Sequence, residues 1–174
     1  MRNWLVGVGV IAACAGVAAA GCTTKACTLI GCTDGFSASV RRADGSFPAG
    51  MHRIEVTADG VTLMCTFTFA ETSPGIGQVF AQCPAGLGVM VSNALKCTEI
   101  RTDTSVSQRC DPIPGQFVET ISLPGTPAQV HAWQYVGDAA ILDAAAAPSY
   151  ADYFPNGPEC GGACRQASAS WTMQ

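Results

Sequence analysis

His52-Arg53-Ile54-Glu55-Val56-Thr57-Ala58-Asp59-Gly60-Val61-Thr62-Leu63-Met64-Cys65-Thr66-Phe67-Thr68-Phe69 is the stretch that decides the fold. Asp59-Gly60 separates two alternating runs, and Asp-Gly favours the positive φ angles of a type I′ hairpin turn. With the turn fixed there, Ala58 faces Val61, Val56 faces Leu63 and Ile54 faces Cys65, all on one side of the ribbon. Phe67 and Phe69 extend that side. Arg53, Glu55, Thr57, Thr62, Met64, Thr66 and Thr68 form the other, so turn chemistry and hydrophobic pattern select the same register.

The same period of two recurs outward from this hairpin. Phe36, Ala38 and Val40 alternate with Ser37, Ser39 and Arg41 in a first strand. Ala167, Ala169, Trp171 and Met173 alternate with Ser168, Ser170 and Thr172 in a last strand. A second hairpin around Gly137-Asp138 pairs Val130 to Val136 with Ala139 to Asp143, although alanine-rich Ala139 to Ala147 also suits a helix. Weaker strands lie near Gln78 to Cys83, Leu87 to Val91 and Phe117 to Leu123. Prolines at 74, 84, 112, 114, 124, 127, 148, 155 and 158 fall between candidate strands and mark turns or edges. The expected fold is an all-β, disulfide-stapled, immunoglobulin-like β-sandwich of about seven to nine short strands.

The first residues carry a different message. Arg2, an apolar run from Trp4 to Ile11 and the alanine-rich stretch Ala12 to Ala20 have the order of an export signal. Ala19-Ala20-Gly21-Cys22 resembles the bacterial lipobox, whose cysteine is lipidated and becomes the new N-terminus. Ala19 stands where that motif usually has a branched residue. Ile11-Ala12-Ala13-Cys14 fits the same motif, and Ala18-Ala19-Ala20 fits an ordinary secretory cleavage site. Cysteine parity discriminates, because an oxidising compartment favours pairable thiols. Of the ten cysteines, cleavage before Cys22 discards Cys14 and uses Cys22 as the anchor. An even set remains for disulfides: Cys27, Cys32, Cys65, Cys83, Cys97, Cys110, Cys160 and Cys164. Thr23 follows Cys22 where the inner-membrane retention signal would have Asp, which favours the outer membrane over retention. The organisation is therefore a lipoprotein signal peptide over 1–21, an anchor and N-terminal cysteine cluster over 22–34, and a sandwich domain over 35–174.

Within the cysteine set, Cys65 points to the apolar side of the hairpin, and a turn at Ser73-Pro74-Gly75 would bring Cys83 beside it. Cys97 to Cys110 would close a polar loop. Cys27 and Cys32 precede the first strand, Cys160 and Cys164 the last, so pairing across these clusters would tie the terminal strands together. The four could instead form a zinc cage, but an exported address argues for disulfides and no metal.

The segment Cys27-Thr28-Leu29-Ile30-Gly31-Cys32-Thr33-Asp34-Gly35 resembles the opening of a group of uncharacterised bacterial lipoproteins. Pro155-Asn156-Gly157-Pro158-Glu159-Cys160-Gly161-Gly162-Ala163-Cys164-Arg165 looks like the end of the same group. Pro48-Ala49-Gly50 is similar to the lead-in of bacterial immunoglobulin-like domains. The resemblance implies an envelope address and a sandwich, and carries no active residue.

Composition narrows the partners. Charged residues are 13% of the chain against a typical ~25%. The net charge of −4 comes without a basic run, so nucleic acid and anionic lipid are poor partners. Catalytic signatures are missing: there is no G-x-S-x-G elbow, phosphate loop, EF-hand or H-E-x-x-H, and no cofactor is implied. The expected role is a non-catalytic structural, interaction or binding one, held to the membrane by lipid and facing an envelope protein or glycan. A lectin-like binder, secreted or anchored, is the alternative, and a hydrolase built from scattered residues ranks below both. His52, at the start of a strand, reads as a rim residue. His131, Trp133 and Tyr135 share one strand face and could form an aromatic platform for a sugar or peptide. A two-residue turn at Gly137-Asp138 puts Leu142 opposite Trp133 and Ala140 opposite Tyr135, which favours this as the buried side, with Gln134 and Asp143 wet.

Overall fold

A computed structural model describes residues 31–70, 79–102 and 105–174. The signal segment, Cys22, Cys27, Gln78 and the turn at Ser73-Pro74-Gly75 lie outside the described residues. Ten strands form two packed sheets, and no α-helix occurs among the described residues. One sheet contains β4 (Val79–Phe80), β5 (Gly88–Arg101), β6 (Val106–Pro124), β1 (Gly35–Arg42), β10 (Cys164–Met173) and β9 (Ala151–Tyr153), in that order across it. The other contains β3 (Val61–Phe69), β2 (Gly50–Ala58), β7 (Val130–Val136) and β8 (Ala139–Ala146). The chain is an all-β, disulfide-stapled sandwich, with ten strands among the described residues where about seven to nine were expected, two of them long.

The hairpin of β2 and β3 has the register that alternation and Asp-Gly dictate: Ala58 pairs with Val61, Val56 with Leu63 and Ile54 with Cys65. Asp59 and Gly60 both take positive φ, 47° and 84°, as a type I′ turn requires. The Asp59 carboxylate also accepts the backbone N–H groups of Ala128 and Gln129 at 2.9 Å, tying this turn to the approach to β7. Ile54, Val56, Cys65, Phe67 and Phe69 are buried. They meet Phe36, Ala38 and Val40 of β1, Ile121 and Leu123 of β6, and Trp171 and Met173 of β10 in one core.

The first and last strands pair directly and in parallel, from Gly35 with Gln166 to Arg42 with Met173. The Cys32–Cys164 disulfide closes the head of this ladder across 132 residues of chain. A closure that long stabilises by about 4 to 5 kcal/mol in the chain-entropy account. Asp34 adds to the join, its carboxylate accepting the Arg165 N–H at 2.7 Å. Cys65–Cys83 forms as the hairpin geometry suggests, and Cys160 is disulfide-bonded as well.

Ala139–Ala146 is a strand, as the second hairpin requires: its backbone groups bond to β7, and tertiary pairing outweighs the helical propensity of its alanines. Other expectations are corrected. The region closed by Cys97–Cys110 is not a loop: β5 and β6 continue as an exposed two-stranded ribbon in which the two cysteines lie directly opposite each other. Pro112 and Pro114 do not end the strand. Pro112 pairs with Leu95 at the border of an irregularity in which Ala94 faces the segment 113–116, and Pro114 lies within that irregularity, where a missing N–H costs no ladder bond. A further correction concerns the faces of the second hairpin and belongs with the site.

Candidate functional site

Strand β7 begins its pairing with β8 as expected, Val136 facing Ala139 and Tyr135 facing Ala140. One extra residue, Ile141, then bulges out of β8, so that Gln134 faces Leu142 and Trp133 faces Asp143. A single inserted residue exchanges the two faces of a strand beyond it. Leu142 therefore points into the core without drawing Trp133 with it. Val130, Ala132 and Gln134 form the buried side, whereas His131, Trp133 and Tyr135 are half-buried on the outer face. The reading of these three as core, with Gln134 wet, is overturned, while Asp143 is exposed as expected.

The outer face is ordered by cross-strand contacts. The His131 and Trp133 rings stack with centroids 3.7 Å apart. His131 Nε2 donates to Asp143 Oδ1 at 2.6 Å. The Arg53 guanidinium lies 4.5 Å from the centre of the Tyr135 ring, and Arg53 also pairs with Glu55 at 3.4 Å. In the ladder Trp133 sits between Glu55 on β2 and Asp143 on β8. A groove of about 580 Å³ runs beside these rings, walled by Thr57, Asp59, Gln129 and Ala145. That volume falls in the usual range of ligand clefts.

Beneath this face lies an arrangement that residue-type searches missed. His52 is fully buried rather than at the rim, because β2 is a central strand and Phe47 of the β1–β2 connection closes over it. The imidazole is sandwiched between Phe47 and Phe67, each with its ring centre 4.8 Å away. Its Nε2 lies 2.8 Å from the Pro48 carbonyl oxygen, which can only accept. Nε2 therefore carries the proton and Nδ1 accepts from the Gln134 amide at 3.0 Å. The other Gln134 N–H donates to Glu119 Oε1, also at 3.0 Å. The polar line thus crosses the sandwich from β2 through β7 to β6.

Burial sets the protonation of both ends. Desolvation lowers the His52 pKa, with the Pro48 bond acting in the opposite sense. Desolvation pushes Glu119 up to about 8, against a smaller lowering by the Gln134 bond. At neutral pH both groups are mostly uncharged, which suits an interior where an unpaired ion costs several kcal/mol. Glu119 Oε2 and Gln134 Oε1 are buried without a hydrogen bond. All three side chains have zero exposure, so solvent and substrate do not reach them, and the line orders the core rather than acting on a ligand. Strand parity is the signal that could have found it. Glu119 shares its phase with Phe117, Ile121 and Leu123, and Gln134 shares its phase with Val130 and Ala132.

A larger cleft, about 750 Å³, opens where the loop from Cys83 to Leu87 passes the six-stranded sheet. Its polar lining is Ser37, Ser122, Gln166, Ser168 and Asp34, the last already holding Arg165. No group of three or more His, Cys, Asp or Glu side chains among the described residues is placed to hold a metal. Cys32 and Cys164, weighed as thiolate ligands, are joined to each other. Lipidation at Cys22 and the part of Cys27 fall outside the described residues. Comparison with family models, with curated proteins and with solved structures returns no match.

Proposed function

We propose that this chain is an exported, lipid-anchored bacterial envelope protein whose sandwich is a non-catalytic interaction and binding module. In this reading residues 1–21 are removed as a signal peptide, Cys22 carries the diacylglyceryl and palmitoyl chains, and Thr23 directs the product to the outer membrane. The observation that carries the reading is the disulfide set: Cys32–Cys164, Cys65–Cys83 and Cys97–Cys110 belong to an oxidising compartment. Cys32–Cys164 lies where a chain tethered at Cys22 enters its first strand, so the join between anchor and domain is cross-linked to the last strand. A lectin-like module is the second reading, favoured by the outward placement of His131, Trp133 and Tyr135.

The test compares full-length wild type with Cys22→Ala by intact-mass spectrometry of membrane and soluble fractions. A diacylglyceryl mass on Cys22, lost together with membrane association in the variant, is the expected result. A soluble, unlipidated wild type beginning at Gly21 would overturn the anchor and leave a secreted module.

A further inference from the structure

We infer that the outer face of the four-stranded sheet is a carbohydrate site, built on Trp133 and His131 and selective for neutral, β-linked pyranose chains. The inference deepens the binding reading by naming the ligand class, and it does not depend on the anchor.

Four observations point to sugar. First, the pairing of β7 with β2 turns Trp133 outward, opposite Glu55, although its indole is the largest side chain on β7 and burial would favour taking it inward; the bulge at Ile141 lets Leu142 of β8 fill the core instead. Second, both rings of the stacked pair line a groove, and His131 is held in place by Asp143. An equatorially substituted pyranose offers a flat patch of axial C–H groups, which suits the electron-rich face of an aromatic ring. Third, carboxylates stand on both sides of the indole in the ladder, Glu55 and Asp143, with Thr57 paired to His131. Acceptors at the rim of a stacking surface match the rim of hydroxyl donors around a sugar ring. The Asp143 side chain is 64% exposed, so a ligand can reach it.

Fourth, charge selects among sugars. Glu55, Asp59 and Asp143 border the face, and its cation, Arg53, is engaged by Tyr135 and Glu55. An acidic border repels uronic or sulfated chains and leaves neutral glycans as the complementary class. The groove lies open along β7 and β8, which suits a linear chain passing over the face rather than an enclosed single residue.

The test is isothermal titration of the full-length protein, purified in a sugar-free detergent, with cellohexaose. Maltohexaose, a sulfated glucan and a mixed hexapeptide library serve as comparisons. Cellohexaose is expected to bind with a dissociation constant of roughly 1 mM or tighter, and more tightly than the other three. Trp133→Ala should weaken it about tenfold, the size of one lost aromatic stacking contact. Asp143→Asn should weaken it less, and both variants should melt within a few degrees of wild type. Should Trp133→Ala fail to fold, Asp143→Asn and Thr57→Val carry the test, because both leave the core untouched. Absence of cellohexaose binding, binding indifferent to all three substitutions, or preference for the sulfated glucan or the peptides would overturn the inference. Lipidated Cys22 together with any of those outcomes would leave the envelope reading standing and remove the ligand class alone.

Discussion

The two hairpins of the four-stranded sheet have the same plan, two strands joined by a two-residue turn, and were read from the same alternating pattern. In β2–β3 the ladder is regular over nine residue pairs, and each side chain goes where parity sends it. In β7–β8 the ladder slips once, at Ile141, so that Leu142 and Asp143 lie where parity sends them while the two faces of β7 are exchanged. The difference teaches what alternation encodes. It fixes which residues of one strand share a face, because that follows from backbone geometry. It does not fix which face is buried, nor the register of the partner, once a bulge is allowed. On β2–β3 one side is uniformly apolar and settles the matter. On β7 both sides are plausible, since His131, Trp133 and Tyr135 compete with Val130, Ala132 and Gln134.

The two hairpins are joined in the core by His52 of the first and Gln134 of the second, with Glu119 from the opposite sheet completing the line. The largest expected effect is the pH dependence of this joint. The Glu119 pKa rises from 4.5 to about 8 on folding, so between those values the unfolded chain releases a proton that the folded one keeps. Its stabilising share is full below pH 4.5, declines as pH rises and is spent by about pH 8, a loss of roughly 5 kcal/mol. His52 runs the other way: its folded pKa is depressed below 6.5, so its share is full above that value and declines as pH falls through the window beneath it. Below pH 6.5 the two oppose each other, and above it Glu119 acts alone. Urea midpoints should therefore fall between pH 6.5 and 8 in wild type and stay level in Glu119→Gln. A wild type with level midpoints over that interval would show that Glu119 is not held neutral.

Next in size is the regular hairpin's own core. Ile54 is completely buried against the opposite sheet, and Ile54→Ala should cost about 3 kcal/mol in chemical denaturation, within the range for large-to-small core changes. A loss under about 1 kcal/mol would mean that the sheets are not packed through β2.

Disulfides and patterning made much of this legible before any coordinates. Cys65–Cys83 followed from the side to which Cys65 points, and the first and last strands from their Ser-apolar alternation. What escaped had physical reasons. The exposed ribbon of β5 and β6 has no apolar side at all, since both of its faces meet water, and pattern-based reading registers such a segment as loop. Its exposed Leu95, Ile100 and Val106 are too sparse to restore the signal. His52 and Glu119 were missed because a polar residue on an apolar face reads as an interruption. Both residues show where a hydrogen-bonded line replaces hydrophobic contact.

The bulge offers a sharper comparison. Deleting Ile141 would make β7–β8 as regular as β2–β3 while leaving Gln134 opposite Leu142 and Trp133 opposite Asp143. Both faces then keep their residues. Ile141 is half-buried, so the expected cost is about 1 kcal/mol, the loss of part of an apolar side chain's burial. Urea denaturation measures it, and the indole fluorescence should match wild type. A much larger loss, or a shifted indole emission, would mean that the extra residue sets the face on which Trp133 lies.

An effect of the same order separates the faces most cleanly. Trp133 is much larger than Ile54, so if it belonged to the core, Trp133→Ala would be the worse substitution, at about 3 to 5 kcal/mol. On the outer face it loses the His131 stack and part of its contact with the sheet, and the expected cost is about 1 kcal/mol. Urea denaturation of the two variants side by side decides the order. A small cost at Trp133 beside a large one at Ile54 means that the indole contributes little to stability while occupying a position that a buried aliphatic residue could not use. An aromatic that the fold does not need for its own cohesion is available for contact with a ligand, and the regular pairing of β7 with β2 keeps it on the outer face.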